Sequence, residues 1–414
     1  VREKAVKEGE TQAVTRPGDL AMVRALAPVL LASAVSLLPY TVYGTFLVAI
    51  AHDTGGGIAA VGGLRGLGGL AALAVGALVA PLLDRLPRMR VAAIGLALIA
   101  LGSLVGALAE FLALVVFSLV LGAGMAVLSP ALGAAAADRF GGGPAAGRAA
   151  TLVNAAQSAT VMLAAPLVVA PALLWGWRGD LLALAVLALA LAVWFLRDRT
   201  PPPGTDVRLG YLASFRALVD LRPLLLVAFL RNATFMGYLS YLAALYDRYH
   251  LSAGQFAAVW TLSGASFFAG NLTAGRLVGR RVRADRLLTG SCVVVALGVT
   301  GIFFSPWVWS AAACSAVIAF TSSMAMASVV VLIVDRAPTG LRGAALGVNG
   351  AANSVGVFAG AAAGGVGLAV GGFPGMAAVF GTIGAVAVVT SHRFSRKVGI
   401  SHTSGNHATA APDL

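Results

Sequence analysis

The sequence predicts an all-α membrane protein: twelve transmembrane helices in two six-helix halves, related by a pseudo-two-fold axis along the membrane normal. Three observations carry that expectation. Long hydrophobic runs alternate with short loops, nearly every positive charge falls in every second loop, and the second half repeats the first at an offset of about 195 to 198 residues.

In chain order the runs are Ala25–Ile50, Ile58–Leu83, Val91–Ala109, Phe111–Ala137, Ala149–Trp175 and Leu181–Leu196, then Pro223–Tyr246, Ala253–Gly275, Leu287–Phe304, Trp307–Val334, Ala344–Val370 and Met376–Ser391. Most hold the roughly 20 apolar residues that cross a hydrocarbon core of about 30 Å, and the short sixth and twelfth are still long enough to serve. With the N-terminus in the cytoplasm, 25 of the 29 Lys and Arg lie inside, Arg178 and Arg248 lie outside, and Arg65 and Arg231 fall within spans. That bias sets the orientation, with both termini cytoplasmic in a multi-pass protein of the cytoplasmic membrane.

The organisation that follows is a disordered N-tail over 1–20, a six-helix bundle over 21–196, a cytoplasmic central loop over 197–222, a second bundle over 223–391 and a disordered C-tail over 392–414. Residues 1–20 mix Lys, Arg and Glu without an apolar core, so no cleavable signal is expected and the first helix acts as the insertion signal. The central loop opens with the breaker Pro201-Pro202-Pro203-Gly204. Within it Tyr211, Leu212, Phe215, Leu218 and Val219 recur at helical spacing beside Arg208, Arg216 and Arg222, a pattern that fits either a surface amphipathic helix or an ordinary linker.

A net charge of +13 would suggest nucleic acid in a soluble domain. Here the basic residues are spread over seven cytoplasmic segments, so the expected partner is the anionic inner leaflet, at roughly 1 kcal/mol per residue, and no nucleic acid. Cys292 and Cys314 lie inside spans without the CxxC spacing that zinc or thiol redox chemistry usually shows, so they read as small apolar packing residues, and no metal or cofactor is expected. No HExxH, GxSxG, Walker lysine loop or GxGxxG is present, and none of the five histidines is inside a span, so an enzyme is not expected.

The repeat is carried by chemically distinctive pairs. Tyr40-x-x-Tyr43 of the first span falls on Tyr238-x-x-Tyr241 of the seventh, Asp138-Arg139 on Asp335-Arg336, and Val153-Asn154 on Val348-Asn349. An even number of helices per half gives both halves the same orientation, an arrangement that suits a transporter with its site between them.

With these features the chain resembles the major facilitator superfamily. The loop Ala80-Pro81-Leu82-Leu83-Asp84-Arg85-Leu86-Pro87-Arg88-Met89-Arg90 is close to that family's G-x-x-x-D-R-x-G-R-x-R signature, with Ala80 and Pro87 in place of glycines. Its counterpart, Gly275-Arg276-Leu277-Val278-Gly279-Arg280-Arg281, keeps the first glycine and the basic residues. Gly176-Trp177-Arg178 and Arg342-Gly343 add to the match, which covers about residues 22 to 391. The resemblance implies a cytoplasmic gate from Asp84, Arg85, Arg88, Asp138, Arg280 and Asp335, whose pairs would bias a two-state equilibrium by about 1 to 3 kcal/mol. The alternative, that these charges only anchor loops and set topology, stays open.

The resemblance also implies that spans 3, 6, 9 and 12 face lipid. Those spans carry no Asn, Gln or charge, whereas Arg65, Asn154, Gln157, Arg231, Asn232, Asn271, Asn349 and Asn353 lie in spans 2, 5, 7, 8 and 11. Polar groups in hydrocarbon cost several kcal/mol unless paired or wet, so a partly hydrated interior follows. Arg65 lies roughly 10 Å from the outer boundary and Arg231 roughly 12 Å from the inner one. Both are functional candidates unless they snorkel. The expected substrate cavity comprises Arg65, Tyr40, Tyr43, Asn154, Gln157, Arg231, Asn232, Tyr238, Tyr241, Asn349 and Asn353, although the tyrosines could equally form an interfacial belt.

No carboxylate lies inside a span, which weakens proton coupling; Asp53, beside His52, and Glu110 are the candidate proton sites on the outer side. The leading expectation is a monomeric secondary transporter exporting a small-molecule drug or metabolite by alternating access. Uptake or facilitated diffusion of a small, anionic solute is the alternative, and a non-transporting sensor or scaffold is the alternative of another class.

Overall fold

A computed structural model describes residues 19–78, 86–140, 143–197, 219–277, 282–337 and 342–408. Almost all of them are helical. The first span is Asp19–Thr45, continued after a break at Phe46 by the short helix Leu47–Asp53. Spans two to four are Ile58–Leu78, Arg88–Gly106 and Phe111–Asp138. The fifth and sixth form one continuous element, Gly143–Leu196, bent at Gly176, whose φ of 69° is a conformation that glycine adopts without steric cost.

The second half repeats this plan. The seventh span is Arg222–Ser240 followed, after a break at Tyr241, by Leu242–Asp247. Ala253–Leu277, Ala284–Ile302 and Val308–Arg336 are the eighth to tenth. The last two share Arg342–Ala408, bent at Gly371 and Gly372 with φ 58° at the latter. Among the described residues eight helices are long and apolar enough to cross a membrane. Two of these bend back and cross twice, and the seventh and eighth spans complete the twelve. The breaks at Phe46 and Tyr241, and the bends at Gly176 and Gly371, fall at corresponding places in the two halves.

Composition places a disordered tail from His392, and the structure differs. The helix continues to Ala408. Phe394 is buried with the Arg336 guanidinium 4.5 Å from its ring centroid, and Ser395 donates to the Asp285 carbonyl. These contacts extend the twelfth helix beyond the last apolar run. The N-tail up to residue 18, and the central-loop residues 198–218 with their amphipathic pattern, lie outside the described residues.

Outward faces of spans 3, 6, 9 and 12 carry exposed Leu101, Leu104, Val186, Leu189, Leu297 and Val389, as lipid-facing helices require. The halves meet along two seams. Gly66 of span 2 lies against span 11 so closely that an added Cβ would come within 2.9 Å of the Phe358 carbonyl. Gly264 of span 8 packs on the backbone of Met162 in span 5, and the Trp260 indole donates to the Val161 carbonyl at 3.3 Å. Small residues permit this approach where no hydrophobic force drives helices together in lipid.

A candidate substrate cavity between the halves

Between the halves lies a cavity of about 650 Å³. It begins at mid-depth, where Tyr40, Tyr238 and Trp260 face it, and runs to Gly76, Pro130, Leu346 and Gly347, next to the helix ends that carry Arg88 and Arg342. We call that end the basic end. At the opposite end the halves are sealed. The Tyr241 hydroxyl donates to the Ala361 carbonyl of span 11 at 2.8 Å and lies 3.3 Å from the Ala59 carbonyl of span 2, bridging both halves.

The walls are mostly apolar and aromatic: Met125, Met236, Phe235, Phe267 and Trp260, with hydroxyls from Ser129, Ser263 and Ser315. Arg65 is the one charged side chain among the described lining residues. Gly44 makes room for it, since a Cβ there would lie 3.2 Å from Nη1. Its guanidinium carbon is 5.7 Å from the centroid of the Tyr40 ring, and Nη1 is buried without a hydrogen-bond partner. Tyr40 is in turn fixed by donation to the Ser118 carbonyl at 3.3 Å, above Gly68, whose missing side chain admits the hydroxyl. Across the pseudo-axis the Tyr238 hydroxyl lies 2.7 Å from Ser315 Oγ, the same first-to-fourth-span tie in the second half.

Of the expected cavity residues, Arg65, Tyr40 and Tyr238 line it. Tyr43 and Tyr241 are buried in seams between helices, where the Tyr43 hydroxyl donates to the Val61 carbonyl. Their Tyr-x-x-Tyr spacing turns one ring to the cavity and the other to a neighbouring backbone. Gln157 sits beside the wall, with Nε2 3.4 Å from Ser129 Oγ. The side chain of Asn154 is outside the described residues.

Arg231, Asn232, Asn349 and Asn353 gather elsewhere, packed between spans 7 and 11 of the second half. Arg231, 4 % exposed, donates through Nη2 to Asn353 Oδ1 at 3.3 Å, and Asn232 Nδ2 donates to the Asn353 carbonyl at 2.7 Å. Arg231 Nε and Asn349 Oδ1 are buried without partners. Arg231 and Tyr238, seven residues apart, share a helix face but lie about 10 Å apart along the axis, and at the level of Arg231 that face meets Asn353 of span 11 and not the cavity.

At the basic end Arg88 Nε lies 3.8 Å from Asp138 Oδ2, which joins the third and fourth spans. Its repeat counterpart Arg283 turns instead to its neighbour Asp285. Asp335 is exposed, and Asp84, Arg85 and Arg280 lie outside the described residues. At the sealed end Asp53 accepts from the Trp177 indole at 3.0 Å and pairs with Arg178 at 3.4 Å, while His52 Nδ1 is 3.7 Å from its other oxygen. Glu110 is exposed at the start of the fourth span. Neither acid lines the cavity. Arg248, also at this end, caps the ninth span by donating to the carbonyls of Phe303 and Ser305, both at 2.9 Å.

Sequence reasoning missed the wall residues Trp260, Ser263, Gly264 and Phe267. Their i, i+3, i+4, i+7 spacing marks one face of span 8, but in an apolar helix that spacing does not say which face looks inward.

The chain matches the sequence model of the Major Facilitator Superfamily over residues 29–361. Solved structures share the fold. A bacterial homologue of the human lysosomal transporter Spinster, inward-facing and unoccupied, has TM-score 0.71 at 14 % identity, covering 92 % of this chain and 98 % of that one. The nucleoside transporter NupG has TM-score 0.70 at 15 % identity, with 89 % and 99 % covered. The human organic anion transporter MFSD10 (TETRAN) has 0.64 at 18 %, with 89 % and 99 % covered. A comparison with curated protein sequences finds no match.

Proposed function

The chain belongs to the Major Facilitator Superfamily, and on that premise we propose that it exports an amphipathic organic anion across the cytoplasmic membrane by alternating access. Arg65 carries the reading. A single cation, with a buried unpartnered Nη1 and no carboxylate among the described lining, borders a mostly apolar cavity whose other polar groups are neutral. Burying such a charge is unfavourable unless an anion meets it, so a substrate anion supplies the missing partner. The volume of about 650 Å³ suits a drug-sized body, and the Met, Phe and Trp walls take its apolar part.

The arginine bias supports a cytoplasmic basic end, and in that orientation the cavity reaches the cytoplasm and the Tyr241 bridge closes the other side. Direction follows from charge. An inside-negative potential favours outward movement of an anion by roughly 2.3 kcal/mol per charge per 100 mV, which needs no proton carrier within the bilayer. Coupling to protons through Asp53 or Glu110 is therefore the lesser reading, since Asp53 is engaged by Arg178 and Trp177. Uptake of a small anion uses the same Arg65 and differs only in the response to potential.

The test is flux of labelled amphipathic anions and their neutral isosteres in proteoliposomes, under imposed potassium–valinomycin potentials, with Arg65→Gln matched for insertion. Anion exit that rises with inside-negative potential and falls in the variant is expected. Equal flux of neutral and anionic compounds would overturn the anion reading, acceleration only by a proton gradient would restore coupling, and no flux at all would mark a non-transporting protein.

A further inference from the structure

A second concavity, of about 340 Å³, opens between the ninth and twelfth spans at their basic end. Its lining holds one carboxylate, Asp285, which is 4 % exposed and neutralised from within: Arg283 donates to it through Nε at 3.1 Å and Nη2 at 3.0 Å. Ser395 Oγ donates to the Asp285 carbonyl at 3.1 Å and lies 3.2 Å from Thr289 Oγ1, so the two helices are pinned together at the floor. Three further groups converge on the same space, Arg286 from the ninth span and His392 and Arg396 from the twelfth. All three are exposed, and among the described residues they form no ion pair.

Among the described residues Arg286 and Arg396 bring two unpaired positive charges to one concavity, with His392 as a further donor, and a compact anion with several acceptor oxygens complements them. What lies next to the pocket identifies the source of the anion. One turn beyond Thr289 and Gly290 the same face of the ninth span becomes apolar, with Val293, Val294 and Leu297 exposed, the last 69 %. The twelfth span does likewise, with Val389 and Val386 exposed in successive turns above His392. A basic cup at the bilayer boundary therefore continues into an apolar stripe that runs toward the bilayer centre.

We infer that this groove binds an anionic phospholipid, its phosphate held by Arg286, Arg396 and His392 and its acyl chains laid along the valines and Leu297. Basic pockets between spans at a membrane face are suited to phosphate headgroups, and the apolar stripe gives a lipid an affinity that free phosphate lacks. The site is separate from the central cavity and does not depend on what that cavity carries.

Native mass spectrometry of the full chain in detergent, titrated with phosphatidylglycerol or phosphatidylcholine, tests the inference. One phosphatidylglycerol should bind in preference to phosphatidylcholine, and Arg286→Gln with Arg396→Gln should weaken that first adduct about tenfold or more, with the control Arg90→Gln at the same membrane face leaving it unchanged. Millimolar inorganic phosphate should not compete. Equal binding of the two lipids, an unchanged first adduct in the double variant, or displacement by inorganic phosphate would each overturn it. The single variants Arg286→Gln and Arg396→Gln, each expected to weaken the first adduct, keep the inference decidable if the double variant does not fold.

Discussion

The guanidinium carbon of Arg65 stands 5.7 Å from the centroid of the Tyr40 ring, and the Tyr40 hydroxyl is anchored on the Ser118 carbonyl. A cation over an aromatic face gains about 0.5 to 2 kcal/mol, too little to offset the loss of water around a full charge. Tyr40 therefore orients the arginine without satisfying it, and Nη1, packed beside Gly44, is left without a hydrogen-bond partner.

Arg65→Gln is expected to lower counterflow of the anionic substrate by about tenfold or more, since a hydrogen bond to a charged group contributes roughly 1.5 to 3 kcal/mol. Arg65→Lys should recover only part of it, because an ammonium lacks the planar fork. Neutral isosteres should move at the same rate in all three proteins.

Tyr241→Phe removes the hydroxyl that bridges Ala361 and Ala59 at the sealed end. Each lost hydrogen bond is worth about 1 kcal/mol, enough to shift the population opened at that end about fivefold. Spin labels at His52 and Gln255, with Cys292 and Cys314 changed to Ser, should show the longer distance component growing in electron–electron double resonance.

Gly66 and Gly63 lie one turn apart on span 2 yet should respond differently. A Cβ at Gly66 would come within 2.9 Å of the Phe358 carbonyl, whereas at Gly63 the nearest atom, the Tyr241 hydroxyl, is 3.7 Å away. Gly66→Ala should cost about 1 to 3 kcal/mol in thermal unfolding, and Gly63→Ala should be silent.

Asn353→Leu takes away the acceptor of buried Arg231 and should lower the unfolding temperature, as losing one partner of a buried polar pair costs about 1 to 3 kcal/mol. The double variant Arg231→Met with Asn353→Leu should recover much of that loss, because two apolar groups leave nothing unsatisfied. If the double variant is less stable than the single one, Arg231 has a role that the Asn353 contact does not explain.

Fold, span count and the duplication were legible in the sequence because they follow from local quantities: apolar length, loop charge and the spacing of rare residues. Tyr40 and Tyr238 were both expected in the cavity, and both line it with the same tie to a serine of the fourth or tenth span. Arg65 was visible as a charge too deep to ignore. Tyr43, Tyr241 and Arg231 were equally visible, and nothing local distinguishes them from the wall residues.

What the sequence determined by itself is thus the membrane architecture and a short set of polar residues that must be buried inside it, because a bilayer penalises each of them wherever it faces lipid. Only the tertiary structure decided how that set divides. Glycine seams, at Gly66 against span 11 and at Gly356 and Gly360 against span 7, set which face of a span meets empty space and which meets a neighbour. Arg65 was thereby turned to the cavity and Arg231 to Asn353. Side-chain direction around a helix depends on packing against elements distant in sequence, and no local pattern in an alanine- and glycine-rich chain encodes it.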